Sequence, residues 1–127
     1  VINQSNLDIK GNHPIISDNY ELRDTYVIDI SSKDPRYPEK VRRVWVNKEN
    51  FFVIYSESWD KSGQFWKGIY NTFKRFELPS GEHGPFNVGN ATIDYKTGTW
   101  VGNFIKRLKL NRSGIKPAAF EPSNLGE

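Results

Sequence analysis

The stretch from Val41 to Phe76 narrows the possible folds more than any other part of the chain. It contains three runs rich in β-branched and aromatic residues, VRRVWV, FFVIYSESWD and QFWKGIYNTFKRF, separated by short polar turns. The first turn is Asn47-Lys48-Glu49-Asn50. The second, Asp60-Lys61-Ser62-Gly63, suits a type I turn closed by a glycine in the left-handed region, the common three-residue hairpin with a bulge. That register sets Trp59 opposite Phe65, Glu57 opposite Lys67 and Tyr55 opposite Ile69, pairs that support one another across a ladder. A run of hairpins of this kind is an antiparallel meander.

The rest of the chain adds strands and loops and no sustained helical period. Residues 1–19 read as an extended lead-in, with room for one short edge strand. Tyr20 to Ser31 reads as a strand, with Tyr20, Leu22, Tyr26, Ile28 and Ile30 at alternate positions. SKDPRYPEK is a loop, because two prolines forbid regular pairing and Asp34-Pro35 favours a turn. Leu78 to Phe86 is a glycine- and proline-bearing loop. Asn87 to Tyr95 and Thr99 to Leu110 form a further hairpin across Lys96-Thr97-Gly98. The expected fold class is all-β: an antiparallel meander with very little helix. It spans residues 20–110, followed by an irregular tail at 111–127. Val1-Ile2-Asn3 looks like an internal start, so the chain reads as a fragment of a longer parent.

Composition says what this sheet is built from. Only 36% of the 127 residues are hydrophobic, yet 14% are aromatic, with eight Phe, six Tyr and four Trp. A few large side chains therefore carry the apolar surface, which fits strands better than a Leu/Ala helical bundle. A net charge of +3 is too small to imply nucleic acid. Lys106, Arg107, Lys109, Arg112 and Lys116 nevertheless follow one another with no acidic residue between them. With no cysteine, disulfides and thiolate metal sites are excluded. His13 and His83 stand apart in loops beside proline or glycine. No serine lies in a nucleophile elbow, and the glycine pairs lack the strand-to-helix context of a phosphate loop. The sequence shows no catalytic machinery and calls for no metal or cofactor.

What stands out is that both faces of the central sheet carry aromatics. The register above gives one face Tyr55, Trp59, Phe65, Ile69 and Phe73, together with Val44, Val46, Phe51 and Val53. The other face then holds Trp45, Trp66 and Tyr70, with Phe52 and Ile54, among serines and threonine. A half-exposed meander would leave one face polar. Two readings stand: one face is core and the other is covered by the tail or by chain outside this stretch, or a curved sheet offers an apolar surface to a hydrophobic ligand. In the second case the first set lines the site, or the Trp45, Trp66 and Tyr70 set if the faces are inverted. Lys106, Arg107 and Lys109 would then meet headgroups or a partner at the rim.

The segment Asp34 to Tyr70 resembles a bacterial family, domain of unknown function 1329, described as outer-membrane lipoprotein-sorting-like. The resemblance rests on Asp34-Pro35-Arg36-Tyr37-Pro38, Asn47-Lys48-Glu49-Asn50 and Trp59-Asp60-Lys61-Ser62-Gly63-Gln64-Phe65-Trp66. Ala91 to Gly98 is similar to that family's final strand and turn. The match covers roughly residues 20–107, with Trp59 where the family usually has Tyr. The resemblance implies a half-barrel of the periplasmic lipoprotein-carrier type that shelters acyl chains. It also implies a location in the periplasm or at the outer membrane, and work without a cofactor beside envelope partners. A non-enzymatic carrier of lipid or another hydrophobic ligand is thus the first functional expectation. The alternative is an interaction module that packs its aromatic face and tail on a partner, such as the rest of its own parent chain.

Overall fold

Strands form here where the sequence alternates and where a neighbour exists to pair with. The structure, a computed structural model, describes residues 7–8, 15–16, 20–78, 80–105 and 121. Two short strands, β1 (Leu7–Asp8) and β2 (Ile15–Ile16), pair antiparallel with each other. The remaining strands are β3 (Thr25–Ile30), β4 (Glu39–Asn47), β5 (Val53–Asp60), β6 (Phe65–Glu77), β7 (His83–Asp94) and β8 (Thr99–Phe104). They form one open six-stranded sheet in sequence order, β3-β4-β5-β6-β7-β8, with every pair antiparallel. No helix occurs among the described residues. The all-β meander is the observed fold. The tail at 111–127 apart from Glu121, and Lys106, Arg107 and Lys109, lie outside the described residues.

Several boundaries differ from expectation for identifiable reasons. β3 begins only at Thr25, although Tyr20 and Leu22 continue its alternation. Its partner β4 ends at Asn47, and beyond that pair the Lys48 amide bonds the Asp24 carbonyl (3.0 Å). Alternation alone does not extend the ladder past the end of β4. Conversely, His83 to Phe86 join β7, where the sequence reads as loop. Leu78 donates to the Glu82 carbonyl (2.7 Å), and Gly81 (φ +84°) makes the turn tight enough for β6 and β7 to pair to their ends. Pro85 is tolerated because, among the described residues, β8 pairs with β7 only as far as Gly89, so no described ladder bond is lost there.

The Asp60–Gly63 turn forms as the sequence predicts. Gly63 (φ +84°) donates to the Asp60 carbonyl at 2.9 Å, and Asp60 donates to the Gln64 carbonyl at 3.0 Å. The Asp60 carboxylate also accepts from the Gln64 amide (2.9 Å) and the Ser62 hydroxyl (2.6 Å), and pairs with Lys96 from the β7–β8 turn. Lys96 first, then Ser62, holds this carboxyl well below the ordinary range. A depressed folded pKa stabilises the protein above the unfolded carboxylate value, and that stabilisation fades as pH falls through it. The melting temperature of Asp60→Asn is therefore expected to fall less steeply than that of the parent below about pH 4. Parallel curves in a pH series of thermal melts would show that the Asp60–Lys96 pair contributes nothing.

The β4–β5 turn carries the one positive-φ residue among the described non-glycine positions, Phe51 at φ +59°. Its amide reaches back to the Asn47 carbonyl (2.9 Å), while the Asn47 side chain accepts from the Glu49 amide (2.8 Å). A left-handed bulky residue is strained. Because Phe51 is 69% exposed, its ring offsets little of that cost by burial. Phe51→Gly is expected to raise the unfolding free energy by about 0.5–1 kcal/mol, the left-handed penalty less glycine's extra unfolded-state entropy. A urea midpoint that falls would refute the strain.

Of the four register shifts in the sheet, at Glu39/Val41, Trp45/Val46, Ser58/Trp59 and Thr72/Phe73, the middle two decide how the central faces are composed. Between Trp45/Val46 and Tyr55/Val53 the ladder shifts, leaving Ile54 as an extra residue on β5. Between Ser58/Trp59 and Lys67/Phe65 it shifts again, leaving Trp66 extra on β6. Each bulge exchanges the faces of whatever follows. Glu57 therefore faces Gly68, not Lys67, and Tyr55 faces Tyr70, not Ile69. The two aromatic sets that the sequence places on opposite faces are largely merged onto one.

The sheet is a single layer. Among the described residues the buried apolar ones are Val44, Val88, Ala91 and Ile93, and no large side chain is fully buried. β3, at the sheet edge, exposes Tyr26, Val27, Ile28 and Ile30.

Candidate functional site

Residues paired across antiparallel strands share a face, so the register builds the site row by row. One row runs Val27–Trp45–Tyr55–Tyr70–Ala91–Gly102, and the next Asp29–Arg43–Glu57–Gly68–Ile93–Trp100. Beyond them Val41, Trp59 and Phe65 continue the same face. Rings touch along it: Trp45 and Tyr55 centroids are 5.0 Å apart, Tyr55 and Tyr70 4.6 Å, Trp59 and Phe65 5.7 Å, and Phe65 and Tyr95 4.8 Å. The result is a nearly continuous aromatic floor.

Glycines let these rings approach the backbone. A Cβ at Gly68 would stand 3.2 Å from the Tyr95 ring and 3.3 Å from the Tyr55 hydroxyl. At Gly89 it would come within 2.6 Å of the Phe104 ring and 2.7 Å of the Asn103 carbonyl oxygen, and at Gly102 within 2.7 Å of Phe104. Rings laid over strand glycines fill space that a side chain would otherwise occupy.

The floor's polar atoms are occupied internally. The Tyr55 hydroxyl donates to Glu57 Oε1 at 3.0 Å, and Tyr70 links Tyr55 with Tyr95. Burial first, then the Tyr70 bond, pushes the Tyr95 phenol up to about 12, and the same causes with Glu57 push Tyr55 up as well. The Tyr55 and Tyr95 hydroxyls thus stay protonated at neutral pH, both held through Tyr70. What the floor offers is ring surface.

At one end this floor opens into a cleft of about 850 Å³ between the β4–β5 turn, β5, β6 and the start of β7. Its apolar lining is Phe52, Ile54, Tyr55, Tyr70 and Phe73, with the Phe52 and Phe73 rings stacked at 5.2 Å and 8°. Asn47, Asn50, Asn71 and Thr72 add polar groups, and Tyr20, Glu21, Arg23, Glu49, Arg75 and His83 also border the space. The size falls within the range of small-molecule sites.

Of the residues expected to line a site, Tyr55 and Phe73 from the first set and Tyr70 from the second meet in this cleft. Trp59 and Phe65 share the aromatic face but stand away from it, with Trp59 lining a separate shallow groove beside Arg43. Trp45 joins Tyr55's face, so the two expected sets are not alternatives. Ile69 pairs with Ser56, which pairs with Val44, on the opposite face. Trp66, the bulge residue, donates its indole N–H to Asp94 at 2.9 Å and carries Lys67 over its ring at 3.7 Å. Burial raises the Asp94 carboxyl, but the bonds from Thr97, Trp66 and Lys96 outweigh it and leave the pKa lowered. Trp66 thus clamps β6 to the β7–β8 turn. Sequence reasoning missed Arg75 as a cleft residue. Gly68 between aromatic neighbours was the signal for the true register, since rings prefer to cover a strand glycine. Among the described residues no three His, Cys, Asp or Glu side chains group to hold a metal.

These strands define an all-β protein built on one open six-stranded antiparallel sheet, with an aromatic floor and a part-apolar cleft on it. The same fold appears in a crystal structure from Vibrio parahaemolyticus, provisionally described as an outer membrane lipoprotein-sorting protein domain. The two align with a TM-score of 0.60 at 16% identity, over 80% of this chain and 41% of that one. The chain therefore spans about two-fifths of that structure's length. It belongs to the family described as protein of unknown function DUF1329, whose profile matches residues 3–125, beyond the segment that carried the resemblance. No curated protein sequence matches it.

Proposed function

We propose that this chain is a non-enzymatic binding domain for a lipid or similar hydrophobic ligand in the cell envelope. The carrying observation is the cleft lined by Phe52, Ile54, Tyr55, Tyr70 and Phe73, set on a floor whose hydroxyls are already bonded. Such a surface gains by excluding water and has little else to offer: burial of apolar area contributes roughly 25 cal/mol per Å². An acyl chain gains about 0.8 kcal/mol per buried CH2, so affinity needs no covalent or metal step. The likeness in fold to a lipoprotein-sorting domain supports the carrier role and a periplasmic or outer-membrane location. Lys106, Arg107 and Lys109 follow β8 in sequence and remain candidates for headgroup or partner contact.

Native mass spectrometry of the purified chain, followed by organic extraction, tests this reading. Recovery of a stoichiometric lipid is the expected outcome. A chain that stays ligand-free after incubation with envelope lipid extract would overturn it.

One observation favours the interaction module as a second reading. The edge strand β3 leaves Val27, Ile28 and Ile30 half exposed, and Leu22 before it is fully exposed. An uncovered apolar edge invites a further strand. Concentration-dependent sedimentation with no lipid recovered would put this reading first.

A further inference from the structure

The cleft borders two arginines, and they differ in one respect. Arg23 sits between two carboxylates: it bonds Glu49 at 2.8 Å and also pairs with Glu21. That triad is closed. Arg75, on β6 opposite Pro85, has no carboxylate within 4.0 Å among the described residues, and it is an exposed residue that borders the cleft. Phe73, two residues earlier on the same strand, belongs to the apolar lining. A guanidinium without a carboxylate partner among the described residues thus borders a part-apolar trough in which Arg23, Glu21 and Glu49 are paired with one another and His83 stands on the rim.

We propose that the cleft selects an amphiphile with a single anionic head. The acyl chain lies against Phe52, Ile54, Tyr55, Tyr70 and Phe73, and the carboxylate or phosphate of the head is held by Arg75. This rests on the carrier reading and refines its ligand class. A neutral head would leave the guanidinium as it is, in water. An anionic head forms a bidentate, charge-assisted pair with it, which a planar guanidinium is shaped to make. A cationic head has no free carboxylate in the cleft to meet, since Glu21 and Glu49 are taken by Arg23.

The test measures displacement of Nile red from the 127-residue chain by four ligands of one chain length: hexadecyl phosphate, palmitate, hexadecanol and hexadecylamine. Both anions are expected to bind about tenfold more tightly than the alcohol, the effect of one charge-assisted hydrogen bond. In Arg75→Gln that difference is expected to vanish while hexadecanol affinity stays unchanged. In Arg75→Glu the amine is expected to overtake the anions, which keeps the idea testable if the glutamine variant folds poorly. Inorganic phosphate alone is expected to leave the dye in place. If alcohol and anions bind equally to the parent, or Arg75→Gln weakens all ligands alike, the head assignment is wrong and the carrier reading survives. If no ligand displaces the dye, both are wrong. Displacement by inorganic phosphate would overturn the need for an acyl chain.

Discussion

Replacing Gly89 by valine is expected to lower the unfolding free energy by about 3 kcal/mol, at the upper end of what overpacking a tight site costs. Any Cβ at this position meets the Phe104 ring at 2.6 Å and, more seriously, the Asn103 carbonyl oxygen at 2.7 Å. A ring can swing aside, but the carbonyl is fixed in the β7–β8 ladder through the Asn90–Asn103 pair. The strand must therefore separate or Phe104 must leave the floor. Gly84 provides the contrast, since a Cβ there meets nothing within 4 Å. Gly84→Ala is expected to change stability by less than about 0.5 kcal/mol. Urea denaturation of the two variants reads the difference, and equal midpoints would show that Phe104 does not lie on Gly89.

Phe73→Asp is expected to weaken binding of a long-chain ligand by about 2–3 kcal/mol, roughly 30- to 150-fold in Kd. The substitution removes a ring stacked on Phe52 and leaves a carboxylate facing any chain that enters the cleft. Phe73 is half-buried in a sheet with no second layer among the described residues, so the fold should tolerate the change. Phe73→Leu keeps an apolar wall and should retain most of the affinity. Dye-displacement titrations with circular dichroism alongside separate the two roles. If aspartate and leucine variants bind equally well, the ligand does not touch Phe73. Loss of the β-sheet spectrum would instead make Phe73 structural.

The strands were legible in the sequence because alternation and turn residues speak locally. Asp60-Lys61-Ser62-Gly63 encodes its own hydrogen bonds, and the observed turn has them. Asp34-Pro35 likewise gives a turn, with the Asp34 side chain accepting from the Arg36 amide at 2.9 Å. Face assignment was not legible, because it depends on the bulges at Ile54 and Trp66. Pairing Glu57 with Lys67 looks favourable by charge. It loses to a register in which Tyr55 and Tyr95 cover Gly68 and Trp66 reaches Asp94. Those gains come from residues distant in the chain, so no local rule reports them. The cleft was legible only in part: Tyr55, Tyr70 and Phe73 were candidates, whereas Arg75 is an unremarkable strand cation until the fold sets it on the cleft border. Strand ends followed the same logic, since Tyr20 and Leu22 carry a strand pattern but lie before Thr25, where pairing with β4 begins.

Photo-crosslinking with a palmitate analogue bearing a mid-chain diazirine tests the central claim most directly. Saturable labelling on the segments 52–55 and 70–73, competed by unlabelled palmitate, is the result this account predicts. Labelling confined to the opposite face around Ile69 and Val101, to the edge strand β3, or nowhere in a saturable manner would contradict it.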